Sequence, residues 1–311
     1  MNRLGAVGAS SKQVPALLLT AGLGTRLQPL STYRAKPALP VAGTPLIARL
    51  LRRVRDAGVT RVVLNLHHRA DSITRIVGDG AAFDIDVRYS WEAQLLGSAG
   101  GPARAIPLLE SDRFLIVNGD MITDVDVAAL IGRHIDTNAL VTMAVIDGRP
   151  GYNGVIADSR GIVSGFGQQP GAFHFIGVQA VNASVFAGLD VDAVSETVHG
   201  IYPPLIAARP GAIRIFHSRA SYFDIGSPRD YLETVRAIAT AEGRALDRGA
   251  DCVVAGDAVL INSVLWDRVT IGAGARLNEC IAADDVVVPA GAEFSRSTLV
   301  MRDNTLVVQP F

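Results

Sequence analysis

The chain has 311 residues, of which 49% are hydrophobic, 19% charged and 6% aromatic, and its formal net charge is −1. That is enough apolar material for one large domain or a domain and a half, and the lack of a basic tract argues against nucleic acid as a partner. No apolar run reaches the length of a membrane span, and two cysteines, Cys252 and Cys280, without a Cys-x-x-Cys pattern suit a reducing cytoplasm rather than a disulfide or zinc framework.

In chain order, residues 1–13 are rich in Gly, Ala and Ser and read as a disordered tail. Residues 15–20 form a short apolar run that ends at glycines, as a doubly buried central strand does. Thr44 and Pro45 then predict a helix, with the hydroxyl as N-cap, Pro at the first helical position and Gly58 as the stop. Further strands are expected at residues 61–66, 85–89 and 114–118, with helices near 70–77 and 99–108 between them. Strand and helix alternate at βαβ spacing, which predicts a doubly wound, parallel α/β sheet. Residues 139–217 are more hairpin-like and read as a mixed region inserted on the same domain, and residues 228–242 read as a helix.

The character changes after Asp251. Leu265, Ile271 and Leu277 each open a hexad with Val, Ala or Ile at its fifth position, and Val288 repeats the pattern after a one-residue slip. This is the hexapeptide signature of a parallel β-helix. Two to three coils are too few for an independent solenoid, so the segment should pack on the first domain or on another subunit, and a homo-oligomer is expected. The expected division is a tail over 1–13, an α/β domain over 14–246 and a coil over 247–311.

Of the 29 basic residues only Lys12 and Lys36 are lysines. Lys36 lies in Arg34-Ala35-Lys36-Pro37, shortly after Ala21-Gly22-Leu23-Gly24-Thr25-Arg26-Leu27. A glycine loop directly after a strand can bring backbone N–H groups to a phosphate. The loop is no dinucleotide fingerprint, because Leu27 stands where a third glycine is needed, and it lacks the Gly-Lys-Ser/Thr of a P-loop. Asn118-Gly119-Asp120 falls at the carboxyl end of the fourth strand, where open α/β sheets bind ligands. Asp120 could alternatively cap a following helix, and Asp224 could cap the one beginning at Pro228.

Together, the stretch from Ala21 to Leu30, Lys36-Pro37 and Pro40-Val41 resembles the sugar-1-phosphate nucleotidyltransferases, within which the chain looks most like the mannose-1-phosphate guanylyltransferases. The resemblance covers roughly residues 15–300. It implies a Rossmann-like catalytic domain with a mostly parallel mixed sheet, followed by a short left-handed β-helix. It further implies that Ala21, Gly22, Gly24 and Thr25 wrap the nucleotide phosphates, that Arg26 stabilises departing pyrophosphate, and that Lys36 meets the α-phosphate and the incoming sugar phosphate. Asp120 and Asp224 would hold Mg²⁺, a cation suited to carboxylate and phosphate oxygens. Glu92-Ala-Gln-Leu-Leu-Gly97-Ser98-Ala-Gly100 resembles the base-reading loop, with Glu92, Gly97 and Ser98 at the base. Glu92 could accept hydrogen bonds from guanine, and Ser98 or Ala99 would open a helix. Gly154 and Gly177 would lie on the sugar side. The substrates so implied are an NTP and a sugar 1-phosphate.

The chain departs from the family pattern at Gln168-Gln169-Pro170, where Glu-Lys-Pro is usual, and at Phe175-Ile176-Gly177, where Asn-x-Gly is usual. Both departures resemble the N-acetylmuramate-1-phosphate uridylyltransferases, which usually lack the β-helix. A uridylyltransferase acting on an amino-sugar 1-phosphate is therefore the second reading, and a catalytically silent NDP-sugar-binding homologue the third. A hexapeptide acyltransferase is disfavoured because no histidine follows His217. The histidines show no metal-ligand spacing; His67 and His68 read as loop residues, Trp91 and Trp266 as packing residues, and Asp124 and Asp126 as turn or helix-start residues.

Overall fold

The structure is a computed structural model that describes residues 14–149, 154–246 and 248–311. The expected tail, and residue 247 at the expected domain boundary, lie outside the described residues.

Seven strands form one sheet: β1 (Ala16–Leu19), β2 (Arg61–Leu66), β3 (Asp86–Trp91), β4 (Arg113–Asn118), β5 (Val141–Ile146), β6 (His174–Asn182) and β7 (Ile213–His217). Their order is β7-β5-β6-β4-β1-β2-β3. β1 pairs in parallel with β2 and β4, β2 with β3, and β5 with β7, whereas β6 runs antiparallel to both of its neighbours. The sheet is thus mostly parallel and mixed, and the hairpin-like region extends it rather than standing apart.

Successive strand residues point to opposite faces, and both faces are buried. Ala16 and Leu18 enter one core, with Leu115 and Val117 of β4, while Leu17 enters the other with Phe114 and Ile116. Helices α1 (Leu46–Asp56), α2 (Ala70–Val77), α4 (Val127–Thr137) and α6 (Pro228–Ala241) cover the first face. Helices α3 (Gly97–Leu109) and α5 (Tyr202–Ala208) cover the second. Each fully buried leucine in this arrangement contributes about 1.5–3 kcal/mol relative to exposure.

Local details correct three expectations. Thr44 does not cap α1: it bridges to Val41 in a two-residue hairpin, Pro45 precedes the helix in extended conformation, and no side chain caps it. Gly58 does follow the helix end, at φ +90°. Helix α3 begins at Gly97, one to two residues earlier than expected. Trp91 is 57% exposed, because β3 is an edge strand, whereas Trp266 is fully buried as a packing residue should be.

The C-terminal strands stack in parallel on three sides, one side each led by Val253–Val254, Val259–Ile261 and Val264–Leu265. Val253 pairs with Thr270, Val259 with Arg276 and Val264 with Ile281, and the next rung repeats the offset with Val287, Glu293 and Thr298. Every offset is 17 residues. The one-residue slip is therefore not an isolated irregularity: one side of every coil is a residue short. The corners keep the same period, with left-handed backbone at Asp251, Arg268 and Asp285, and again at Asn262, Glu279 and Arg296. Leu265, Ile271, Leu277, Ala282, Val288 and Leu299 fill the inside. Strand Thr305–Pro310 folds back antiparallel on Ser297–Arg302.

One side of the coil docks on the sheet domain. Val264, Trp266, Ile281, Ala283 and Val300 join the same core as Leu27, Leu30 and Tyr231. The Trp266 indole N–H donates to the Tyr231 hydroxyl (3.1 Å), which donates to the Pro40 carbonyl (2.7 Å). Of the two partners expected for so short a coil, the chain's own first domain is the one it meets.

Candidate active site

The carboxyl ends of β1, β2 and β4 finish level, since Leu19 pairs with both Asn65 and Asn118. Beyond them opens a cleft of about 520 Å³. Ala21, Gly22, Gly24, Thr25, Arg26, Lys36, Glu92, Gly97, Ser98 and Asp120 all line it. Sequence separations of up to 99 residues thus close onto one crevice.

The loop after β1 is held from behind. The Thr20 N–H donates to Asn65 Oδ1 (2.6 Å) and its hydroxyl to the Asn65 carbonyl (2.5 Å). Gly24 then takes φ +61°, a left-handed conformation that starts the 3₁₀ turn Thr25–Leu27. Arg26 is exposed within the cleft. Lys36 opens the third 3₁₀ turn of this segment, Lys36–Ala38, and is only 8% exposed. A buried ammonium needs a partner, and Nζ donates to Asp120 Oδ2 at 2.8 Å.

Asp120 leads into strand Met121–Thr123, not a helix, so the capping alternative fails for it. It fails for Asp224 too: Ser227 caps α6 by accepting from the Asp230 N–H. Instead, strand Tyr222–Asp224 lies antiparallel to Met121–Thr123, with Asp224 paired to Met121 and the Ile225 N–H donating to the Asp120 carbonyl (3.0 Å). The two aspartates are neighbours by construction. Burial pushes the Asp224 carboxyl above its ordinary range; the Lys36 and Arg26 charges oppose this, and Asp120 and Asp230 reinforce it. A methyl group on Gly226 would come within 3.0 Å of the Asp224 and Asp230 carboxylates and 3.4 Å of Arg26 Nη1, so these groups converge. The described residues contain no cluster of three or more His, Cys, Asp or Glu able to cage a metal. Two adjacent aspartates, one of them disfavoured as an anion chiefly by burial, fit a hard dication that draws its other oxygens from phosphates.

At the other end of the cleft, Glu92 is 6% exposed and braces the loop: Oε1 accepts from Asn65 Nδ2 (2.8 Å) and Oε2 from the Leu96 N–H (3.0 Å). A side chain on Gly101 would collide with this brace, 2.9 Å from Glu92 Oε1. Residues 192–196 run as a strap over the start of α3. Ser195 bonds to Leu96 and Ala99 through backbone groups, and Asp192 pairs with Arg104. Glu196 Oε2 accepts from both the Ser98 N–H (3.2 Å) and its hydroxyl (2.5 Å). At the start of α3 the Ser98 N–H thus faces a carboxylate of the chain itself, and the Ala99 and Gly100 N–H groups the Ser195 carbonyl.

Asn65, Val194 and Glu196 also line the cleft beside Asn118 and fall outside every motif read from the sequence. The asparagines carry a legible signal, each being a polar residue at the end of an apolar strand. Glu196 carries none, lying 98 residues from Ser98. Gly154, Gly177 and Asp224 are not among the cleft-lining residues, Asp224 being half-buried beside Asp120. Gly177, at φ +76°, sits where β6 shifts register, and a methyl there would press within 3.0 Å of Asn118. Gly154 packs against Ala172 and Phe173. Gln168 and Gln169 are exposed, ahead of a turn at Pro170 and Gly171. The residues held back from roles behave accordingly: Asp126 caps α4, Asp124 accepts from the Ser221 N–H, and His67 and His68 bond to loop carbonyls.

An α/β sheet with a glycine loop, a buried lysine and paired aspartates at its carboxyl edge defines an enzyme site for polyanions. Residues 15–241 match the Nucleotidyl transferase family, and the chain belongs to it, as an enzyme of the sugar-1-phosphate nucleotidyltransferase type. Mannose-1-phosphate guanylyltransferase of Mycobacterium tuberculosis is 30% identical over 309 residues, covering 92% of this chain and 84% of its own. N-acetylmuramate alpha-1-phosphate uridylyltransferase of Neisseria meningitidis is 45% identical over 115 residues, covering 37% of this chain and 50% of its own. The crystal structure of HddC from Yersinia pseudotuberculosis shares the fold, with a TM-score of 0.63 at 23% identity over 73% of this chain and 100% of that one.

Proposed function

We propose that the protein makes an NDP-sugar and pyrophosphate from an NTP and a sugar 1-phosphate, with GTP and mannose 1-phosphate as its substrates. The observation that carries this reading is the meeting of Lys36, Asp120 and Arg26 in a cleft whose wall is the glycine loop, with Asp224 held beside Asp120 by strand pairing. A phosphate oxygen of the sugar attacks the α-phosphorus in line, the bond to the β-phosphate oxygen breaks, and pyrophosphate leaves with that electron pair. Lys36 offsets the charge of the α-phosphate and the incoming phosphate, and Arg26 that of the departing pyrophosphate. The loop over residues 21–25 orients the triphosphate through backbone N–H groups. Asp120 and Asp224 would hold Mg²⁺, which when bound supplies charge neutralisation between the phosphates. Gly154 and Gly177 belong to the acceptor side of this reading. We take residues 14–246 as the catalytic unit and the remainder as a left-handed β-helix of hexad origin.

Two carboxylates, Glu92 and Glu196, line the base end; each already accepts from the chain, and guanine suits the lone pairs they have left. Guanine presents adjacent N–H donors, whereas uracil flanks a single N–H with two carbonyls that a carboxylate repels. The long match to a guanylyltransferase, which includes the coil, supports the same choice. The second reading, UTP with an N-acetylmuramate-type 1-phosphate, rests on Gln168-Gln169 and on the shorter, higher-identity match. Pyrophosphate release measured over a matrix of NTPs and sugar 1-phosphates tests both. Turnover with GTP and mannose 1-phosphate is expected; preference for UTP with an amino-sugar phosphate selects the second reading, and silence across the matrix overturns both. Two free cysteines support a cytoplasmic setting, and no helix among the described residues is long and apolar enough to cross a membrane. Association into a homo-oligomer is checked by light scattering.

A further inference from the structure

We propose that the C-terminal coil is a working part of the active site, because it fixes the segment that carries Lys36 through a bridge from Arg34 to Asp267 and Asp284. This rests on the reading of Lys36 as a phosphate-binding residue. Arg34 Nε donates to Asp284 Oδ2 at 2.8 Å, and Nη2 to Asp284 Oδ1 and Asp267 Oδ2 at 2.5 Å each. Its guanidinium carbon lies 5.2 Å from the centre of the Trp266 ring. One rigid fork thus engages two carboxylates and an indole face, a geometry that an ammonium cannot reproduce.

The two acids are a product of the coil. They lie 17 residues apart, one rung above the other at the same corner, about 4.8 Å apart in backbone spacing. Their own backbone fixes them: Asp267 Oδ1 accepts from the Ala250 N–H (2.9 Å), and Asp284 Oδ1 from the Asp267 N–H (3.1 Å). Stacked like charges repel, and the cation placed between them comes from the sheet domain. Tyr33 adds a second tie by donating its hydroxyl to the Met301 carbonyl.

Nothing loose separates this bridge from the ammonium. Ala35, the single residue between Arg34 and Lys36, is fully buried, and its N–H donates to Ser72 Oγ (3.0 Å). The Ala35 carbonyl accepts from the Ala38 N–H (2.8 Å), closing the turn that begins at Lys36. A displacement of the Arg34 backbone is therefore passed to Lys36, and misplacement by about 1 Å costs on the order of a hundredfold in rate where positioning dominates. Arg34, Asp267 and Asp284 are positioning residues.

The test uses the full-length chain and compares Arg34→Lys and Asp284→Asn with Leu277→Ala. The last change loosens the coil interior without touching the bridge, since Leu277 faces the inner core. Each variant is assayed well below its melting temperature, which is recorded alongside. The expected result is a fall in kcat of about ten- to a hundredfold for Arg34→Lys and Asp284→Asn, with KM for the NTP within about threefold, and no change in kcat for Leu277→Ala. In parallel, the ¹³C-methyl signal of reductively methylated Lys36 should shift in the two bridge variants and stay put in Leu277→Ala. Equal kcat and an unmoved Lys36 signal in the bridge variants overturn the proposal. If the wild-type chain turns over no substrate, the assigned reaction fails, and the Lys36 signal alone decides the bridge.

Discussion

The sheet and the coil both bury parallel strands, but they do it differently. Strands β1 and β4 are apolar on both faces, because helices cover both. Coil strands bury one residue per side inside, and only the docking side buries the alternate residue as well, as with Leu265 inward and Trp266 outward. The connections differ in consequence. After β1 the chain leaves by a long loop, after β2 and β4 by only three and two residues, and the cleft opens where these connections part. The coil turns its corners with single left-handed residues at a fixed period of 17, which leaves no loop from which a site could be built. One region supplies chemistry; the other supplies a rigid surface for it to lean on.

That contrast can be broken by experiment. The largest effect is expected for Lys36→Ala, which should lower kcat/KM by roughly a thousandfold while leaving the circular dichroism spectrum unchanged. A small kinetic effect would remove the sheet edge from the chemistry. Trp266→Ala should destabilise the whole chain by about 3–5 kcal/mol in urea titration, because the indole fills the seam between the two regions. A two-step transition with the sheet unfolding at its wild-type midpoint would mean that the regions are independent.

Asp224→Asn should do the reverse, stabilising the metal-free chain by about 1 kcal/mol at pH 7 while abolishing turnover. The sign follows from the raised carboxyl pKa. Such a group favours the folded state below its unfolded value, near pH 3.8, and loses that contribution as pH rises through the folded value, so its ionised form is a burden at neutrality. The gap in melting temperature between variant and wild type should therefore close as the pH falls towards 4. The smallest effect concerns His134, which bonds to Thr142 and Asn182 and whose burial holds its pKa below the usual 6.5. A depressed histidine contributes stability above the unfolded value that is lost as pH falls through the folded one. Melting temperature should thus decline below about pH 6.5 in the wild type, and less so in His134→Gln.

What could be read from sequence was what short-range patterns encode. The apolar run into Gly22, the Asn118-Gly119-Asp120 strand end and the hexads at Leu265, Ile271 and Leu277 each announce their own conformation within a few residues. Thr44 misled because its local pattern suits a cap, while a tertiary bridge to Val41 claimed its backbone. Trp91 misled because an edge position depends on strand order, which no local window contains. The ties that shape the site span far more chain: 98 residues from Ser98 to Glu196, 233 and 250 from Arg34 to its two acids. The 17-residue period was visible only as a single slip until the register of every rung fixed it.

The cleft sets its cations, Arg26 and Lys36, beside Asp120 at the glycine loop, and its hydrogen-bonded acids, Glu92 and Glu196, around the start of α3. With Lys36 paired to Asp120, the exposed Arg26 and the two glutamates leave a weaker dipole across the cleft, on a molecule of almost zero net charge. In the proposed reaction an NTP, anionic at one end and donor-rich at the other, would feel a torque towards alignment in that field. Added salt should therefore slow capture by shortening the reach of that torque.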